Sequence, residues 1–308
     1  MVEKDPLNFS YCPDAPHFLL SQAVSVNFTI LGSGSAGNCA YLETPESRLL
    51  IDAGLTGRQI RKRLETIGKN ADNLSGIIIT HEHSDHISGL VGLAKLNLPI
   101  YCNRLTKQAI EAQLQIKINC QVFETGNTFE VGDIEIDTFA VPHDAYDPVG
   151  FLIRTPMGNI GFLTDLGHVT KMALERVRTS NVLLMESNHD VKMLQDNPHR
   201  PWSLKQRILS RHGHLSNENA ADAVQQIASS ELQHIYLGHI SRDCNKPEIA
   251  HAVMNDRLKQ IGAHHMRVEL TRQDAPCPTL QLTARGSALQ LGLSIPQDLP
   301  GRLQAAHP

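Results

Sequence analysis

The chain has 308 residues, 41% hydrophobic and 19% charged, a globular composition long enough to bury a large core without disulfide help. Its 28 Lys and Arg against 32 Asp and Glu leave a net charge of −4, which excludes a broadly basic nucleic-acid coat protein. Sixteen histidines outnumber the eight Phe, five Tyr and one Trp together, and that surplus asks for a chemical reason.

In chain order, residues 1–24 hold Pro6, Pro13 and Pro16 with no clear period and read as an irregular extension. Short strands are expected at Val26–Leu31, Ala40–Glu43 and Arg48–Ile51, then an amphipathic helix over Thr56–Ile67, where Ile60, Leu64 and Ile67 repeat at helical spacing. The apolar run Ile77–Thr80 reads as a buried strand. Further strands are predicted at Asp133–Ala140, Val149–Thr155, Asn159–Thr164, Val182–Glu186, His234–Leu237 and His265–Leu270. Helices are predicted at Ser88–Leu96, Lys171–Arg178, Leu204–Ser210, Asn217–Ala228 and Pro247–Ile261. Strand pairs such as 149–155 and 159–164 are joined by turns too short for a crossover helix, so the sheets should be mixed. This places one α/β domain over 25–273, followed by a tail over 274–308 with no strong periodicity.

The six cysteines (Cys12, Cys39, Cys102, Cys120, Cys244, Cys277) form no CxxC pair, so a disulfide framework is not expected and free thiols fit a reducing cytosol. No run of about 18 apolar residues offers a membrane span. Met1–Ser10 lacks a basic start leading into an apolar core, so no signal peptide is expected and the expected location is cytoplasmic.

The chemistry concentrates in Thr80-His81-Glu82-His83-Ser84-Asp85-His86, at the end of a buried strand. Imidazole with carboxylate suits zinc or manganese-like ions, and a strand end followed by a tight turn lets His81 and His83 share one ion while Asp85 and His86 face a second. Single polar residues end four other strands: Asp52, His143, Asp165 and His239.

This set, an HxHxDH string with Asp52 before it and His143, Asp165 and His239 after it, resembles the metallo-β-lactamase superfamily. The resemblance implies an αββα sandwich of two mixed β-sheets flanked by helices, with a dinuclear site at one edge. It implies one metal on His81, His83 and His143, another on Asp85, His86 and His239, Asp165 bridging, and Asp52 orienting ligands. An oxygen ligand at Asp165, where true β-lactamases often place sulfur, fits two hard or borderline ions, zinc or manganese. The dioxygen-reducing di-iron members carry an acid where His83 stands, which disfavours that branch.

Closer strings narrow the branch. Leu31-Gly-Ser-Gly-Ser-Ala-Gly-Asn38, Thr164-Asp165-Leu166-Gly167, Glu186-Ser-Asn-His-Asp190, Gly213-His-Leu-Ser-Asn217 and Leu237-Gly-His-Ile-Ser-Arg242 look like the YycJ/WalJ branch, described as metal-dependent exonucleases acting 5′ to 3′ on double-stranded DNA. Glu186-Ser-Asn and Gly213-His214-Leu-Ser also resemble ribonuclease J segments. The short chain between Asp165 and His239 has no room for that group's large inserted domain. Metal-assisted phosphodiester hydrolysis of DNA is therefore expected, with Asp165 as proton acceptor and His214 as the acid for the leaving oxygen. A small-molecule cyclic phosphodiesterase and a non-catalytic metal-dependent regulator are the alternatives.

Several segments keep two readings. Gly32, Gly34 and Gly37 satisfy a dinucleotide fingerprint, but the residues after Gly37 read as a strand and not the helix that fingerprint needs. The loop is either a plain tight turn or brings Ser33, Ser35 and Asn38 to a substrate phosphate. His214 is either a phosphate ligand or acid, or a surface histidine ahead of a helix cap. Glu186 and His189 orient ligands or substrate, or are structural. Ser216 and Arg242, in their strings, are candidate substrate contacts. His199, Arg200, Lys205, Arg207, Arg211 and His212, with Trp202 at the head of their helix, form either a solvated face or a track for phosphates.

Overall fold

Alternating and continuous apolar runs become two sheets. The computed structural model describes residues 25–283 and 288–291. Its strands and helices run β1 (Val26–Gly32), β2 (Cys39–Glu43), β3 (Arg48–Ile51), α1 (Gly57–Thr66), β4 (Gly76–Ile78), α2 (Ser84–Ile87), α3 (Leu90–Leu93), β5 (Ile100–Asn103), α4 (Arg104–Leu114), β6 (Cys120–Phe123), β7 (Thr128–Val131), β8 (Ile134–Ala140), β9 (Val149–Thr155) and β10 (Gly158–Leu163). They continue as α5 (Lys171–Val177), β11 (Val182–Glu186), α6 (Val191–Asp196), α7 (Trp202–Ile208), α8 (Asn217–Ile227), β12 (His234–Gly238), α9 (Pro247–Gln260), β13 (Arg267–Leu270), β14 (Thr279–Leu282) and β15 (Ala288–Leu291).

One sheet has eight strands in the order β15-β14-β1-β2-β3-β4-β5-β6, and the other has seven in the order β13-β12-β11-β10-β9-β8-β7. Both are mixed. β3 to β6 pair in parallel, as do β10 to β13, while the hairpins β8–β9 and β9–β10 are antiparallel.

Three apolar layers hold this together. Phe28, Leu49, Ile78, Phe151, Phe162 and Tyr236 fill the space between the sheets. Leu64, Ile77, Leu90 and Ile110 seal α1, α3 and α4 onto the first sheet, and Leu183, Val224, Leu237 and Met254 seal α5, α8 and α9 onto the second. The result is the αββα sandwich, with helices outside and a double sheet inside. Local signals set the helix starts: Thr56 and Gln59 form a reciprocal capping box at α1, and Ser216 caps α8 by accepting from Asn219 N at 3.2 Å.

Both parallel blocks send the C-terminal ends of their strands to one edge, the usual place for a site in such sheets. The carboxyl ends of β3, β4, β10, β11 and β12 carry Asp52, the His81–His86 string, Asp165, Glu186 and His239. A buried arginine braces this edge: Arg63 of α1 donates to the Leu31 carbonyl at 2.7 Å and to the Gln273 carbonyl at 2.8 Å.

The expected domain end at Gln273 is corrected. β14 pairs antiparallel with β1, β15 pairs with β14, and Leu280 and Leu282 are buried, so Thr279–Leu282 and Ala288–Leu291 belong to the first sheet. The expected extension over 1–24 lies outside the described residues. The expected helix Ser88–Leu96 is one short helix, α3, and a 3-10 turn, with α2 ending just before it, and the stretch between Leu96 and Asp133 holds β5, α4, β6 and β7, none of which was expected. Strand β2 follows the glycine loop, so the dinucleotide fingerprint lacks its helix.

Candidate metal centre

His81, His83 and His143 offer ring nitrogens that all lie within 4.8 Å of one another. His143 Nε2 is 3.2 Å from His83 Nδ1, while His143 Nδ1 lies 3.1 Å from the Gly213 carbonyl, which orients the ring. His81 Nε2 is buried without a hydrogen-bond partner, and Thr80 Oγ1 lies 3.0 Å from its Nδ1. Three imidazole nitrogens turned toward one another, one of them orphaned in the interior, call for a cation to accept their lone pairs.

A second group adjoins the first. His86 Nε2 is 3.0 Å from Asp165 Oδ2, and Asp85 Oδ2 lies 3.7 Å from both His86 Nε2 and His239 Nε2. Asp165 also faces the first group, with Oδ1 3.9 Å from His143 Nε2, so its carboxylate stands between the two. His81, His86 and Asp165 form a further donor group within 4.8 Å, as do Asp165, Glu186, His214 and His239.

Neighbouring side chains orient these donors, as carboxylate–histidine pairs do in metal sites. Asp52 Oδ2 is 2.8 Å from His86 Nδ1, and Thr80 donates to Asp52 from its backbone N at 2.8 Å. Asn38 Nδ2 donates to Asp85 Oδ2 at 3.2 Å, and its Oδ1 accepts from Gly34 N at 2.8 Å. Asp52, Asp165 and His239 all have left-handed backbones, with φ of 59°, 55° and 52°. Non-glycine residues rarely adopt that region, and such strain gathers where the surroundings dictate a side chain's aim.

The electrostatics divide by group. Burial pushes the His81 and His143 imidazoles below their ordinary values, leaving them neutral and able to ligate. Burial also opposes charge on His86 and His239, but Asp52 and Asp165 beside the first and Asp165 beside the second carry them well above the ordinary value. Burial disfavours the Asp165 anion, yet His239 and His86 hold its carboxyl well below the usual range. A divalent ion would take over the charge balance that protons supply there.

The donors open on a cavity of about 430 Å³ whose walls include His83, Asp85, His143, Asp165, His214 and His239. His214 and Ser35 also line this cavity. Asp144, which the sequence reading assigned no role, also lines it. It ties the loop after His143 to α7 by pairing with Arg207. Glu82 holds the same loop by accepting from Tyr146 N at 2.9 Å.

The other candidate substrate contacts lie away from this cavity wall. Glu186 is fully buried: its Oε2 accepts from Leu166 N and Leu215 N, and its Oε1 lies 2.7 Å from His214 Nδ1. Burial works against its charge, but His214 draws the carboxyl down to about 2. Glu186 therefore positions His214 and His239. His189 and Ser216 are also buried, the first outside the cavity wall and the second as a helix cap. Ser33 and Asn38 are buried and bonded to each other at 3.1 Å, and Ser33 accepts from His239 N at 2.8 Å, so both brace the site. Arg242 lines a separate cavity beside the first.

The basic stretch is not a free track. Arg200 pairs with Asp243, Arg207 with Asp144, and Lys205 is buried with Nζ donating to the Gln195 carbonyl at 2.6 Å. Arg200 and Arg207 do reach the cavity wall, whereas Trp202 is exposed and lies outside it.

The model of the β-lactamase superfamily domain matches residues 47–240, across the donor set. The chain belongs to the β-lactamase superfamily. It falls in the YycJ/WalJ branch of that superfamily. It is 39% identical over 242 residues to exodeoxyribonuclease YycJ of Bacillus anthracis, covering 78% of this chain and 91% of that protein. It is 41% identical over 242 residues to exodeoxyribonuclease WalJ of Streptococcus pneumoniae, covering 77% and 90%. The crystal structure of a diphosphatase from the PhnP family superposes with a TM-score of 0.60 at 17% identity, over 84% of this chain and 98% of that one, a likeness of fold. As a member of this superfamily with its donor cluster in place, the chain is a metal-dependent hydrolase whose site binds divalent cations. Among the described residues no helix is long and apolar enough to cross a membrane.

Proposed function

We propose that this chain is a 5′-to-3′ exonuclease on double-stranded DNA, working with two divalent ions, zinc or manganese. The observation that carries this reading is the cluster of donors in which His81, His83 and His143 converge and Asp165 converges both with His81 and His86 and with Glu186, His214 and His239, beside a cavity that Asp85, Arg200 and Arg207 also line. The names of the YycJ and WalJ relatives, both exodeoxyribonucleases, supply the substrate.

When bound, a divalent pair activates water and stabilises the charge on the phosphoryl oxygens. Asp165 accepts the proton released by the attacking water. His214, aimed by Glu186, protonates the leaving 3′ oxygen of the terminal nucleotide. Asp52, Thr80 and the Gly213 carbonyl keep the imidazoles in place throughout. The free thiols of Cys39, Cys102, Cys120, Cys244 and Cys277 suit a reducing cytoplasm.

The test is to load the purified protein with manganese or zinc and offer 5′-phosphorylated duplex DNA, single-stranded DNA, RNA and a chromogenic phosphodiester. Mononucleotides released from the 5′ end of the duplex support the reading. Turnover of the small ester alone replaces it with a small-molecule phosphodiesterase, and silence on every substrate replaces it with a regulator.

A further inference from the structure

A second cavity of about 430 Å³ abuts the metal centre, and its lining includes Ser33, Ser241, Arg242, Arg272, Gln273 and Asp274. The partition between the two cavities is thin. Ser241 lines both, and Ser33 accepts the backbone N–H of His239 at 2.8 Å. The loop after β12 therefore serves both sides, with His239 in the donor set and Arg242, three residues on, in the second cavity.

The charges on the two sides differ. On the metal side Arg200 and Arg207 are each held by an acid. On the other side Arg242 and Arg272 are exposed, and neither has an ion-pair partner among the described residues. One acid, Asp274, shares that lining with the two guanidinium groups, so positive charge is in surplus there.

The backbone beneath Arg272 is fixed. Its carbonyl accepts from Ser33 N at 3.0 Å, Thr271 N donates to the Leu237 carbonyl at 3.0 Å, and Arg63 holds the Gln273 carbonyl. Gln273 Nε2 donates to the Ile240 carbonyl at 2.9 Å, clamping one wall to the other. Two planar guanidinium forks on a rigid frame match the oxygens of a phosphate.

We infer that this cavity is a second phosphate subsite, in which Arg242 and Arg272 take a phosphate next to the scissile one on the same strand. The inference rests on the nucleic-acid reading above and sharpens it, because a strand brings consecutive phosphates and a lone phosphodiester brings one. A 5′-terminal phosphate and an internal linkage share this chemistry.

The experiment uses the full chain, metal-loaded, with Arg272→Gln and, independently, Arg242→Gln. Probes are a duplex with a 5′-phosphate, the same duplex with a 5′-hydroxyl, and bis(p-nitrophenyl) phosphate. For each variant the ratio of kcat/KM on phosphorylated duplex to that on the small diester falls about tenfold, the loss expected for one charged hydrogen-bond contact. The log–log salt slope of duplex binding also becomes shallower by about 1. If the occupant is the terminal phosphate, wild type is slower on the 5′-hydroxyl duplex and the variants lose that difference. If it is an internal linkage, wild type treats both ends alike and the variants slow both. Variants with the wild-type ratio and salt slope overturn the subsite while the nuclease reading stands. A wild-type protein inert on all DNA overturns both.

Discussion

Glu186 Oε1 lies 2.7 Å from His214 Nδ1, so a fully buried carboxylate aims an imidazole that reaches the cavity. Burial alone would push His214 down, but Glu186 carries it above the ordinary histidine value, which suits a proton donor near neutral pH. His214→Ala should lower kcat on DNA roughly 100-fold or more. A p-nitrophenolate leaving group needs little protonation, so bis(p-nitrophenyl) phosphate should lose far less. Equal losses on both substrates would remove His214 from the acid role.

His83 is partly exposed at the cavity wall, so its removal leaves no large interior void. His83→Ala should keep the wild-type circular dichroism spectrum and a cooperative melt, while metal analysis shows fewer bound ions and turnover disappears. Full turnover with metal lost would break the link between that ligand and catalysis.

Gly54 packs directly under the ligand loop. A Cβ there would stand 1.6 Å from the Asp85 carbonyl oxygen and 2.7 Å from Asn38 N. Gly54→Ala must displace the Asp85 segment, so it should cost about 1–3 kcal/mol in urea unfolding and weaken metal binding together. A variant with wild-type stability and metal content would show that this contact is slack.

Much of this site was legible because its candidate donors end buried strands with strong apolar runs, such as Ile77–Thr80 and His234–Leu237. The left-handed turns at Asp52, Asp165 and His239 carry no glycine and so left no mark. Strands β5 and β6 are four residues each, and β6 is half exposed, so neither shows an alternation long enough to read. β14 hides behind Pro276 and Pro278, although Leu280 and Leu282 alternate as an inward face should. The partners of Arg207 and Arg200 lie far off in sequence, at Asp144 and Asp243, and therefore a local run of cations looked unbalanced. Motif position also says nothing about burial, and Glu186 and His189 are both buried.

His189 is buried, and that burial pushes its imidazole down to about 4, with Glu186 opposing only in part. Between that value and the ordinary 6.5 the unfolded chain binds a proton that the folded chain refuses, so stability falls as pH drops through this window. At about 1.4 kcal/mol per pH unit the effect approaches about 3.5 kcal/mol at its limit. His189→Gln should therefore lose less stability than wild type between pH 7 and pH 4.5 in urea melts. Parallel curves would mean that His189 takes up its proton while folded.

In the proposed reaction two divalent ions, held by Asp165 and six side chains around it, support hydrolysis of the terminal phosphodiester of a DNA strand. The most direct measurement titrates manganese into chelator-stripped protein and follows bound ion and mononucleotide release from a 5′-phosphorylated duplex in the same sample. Two ions per chain are expected, with release rising as the second binds. Full release at one ion, or two bound ions and an intact duplex, would contradict it.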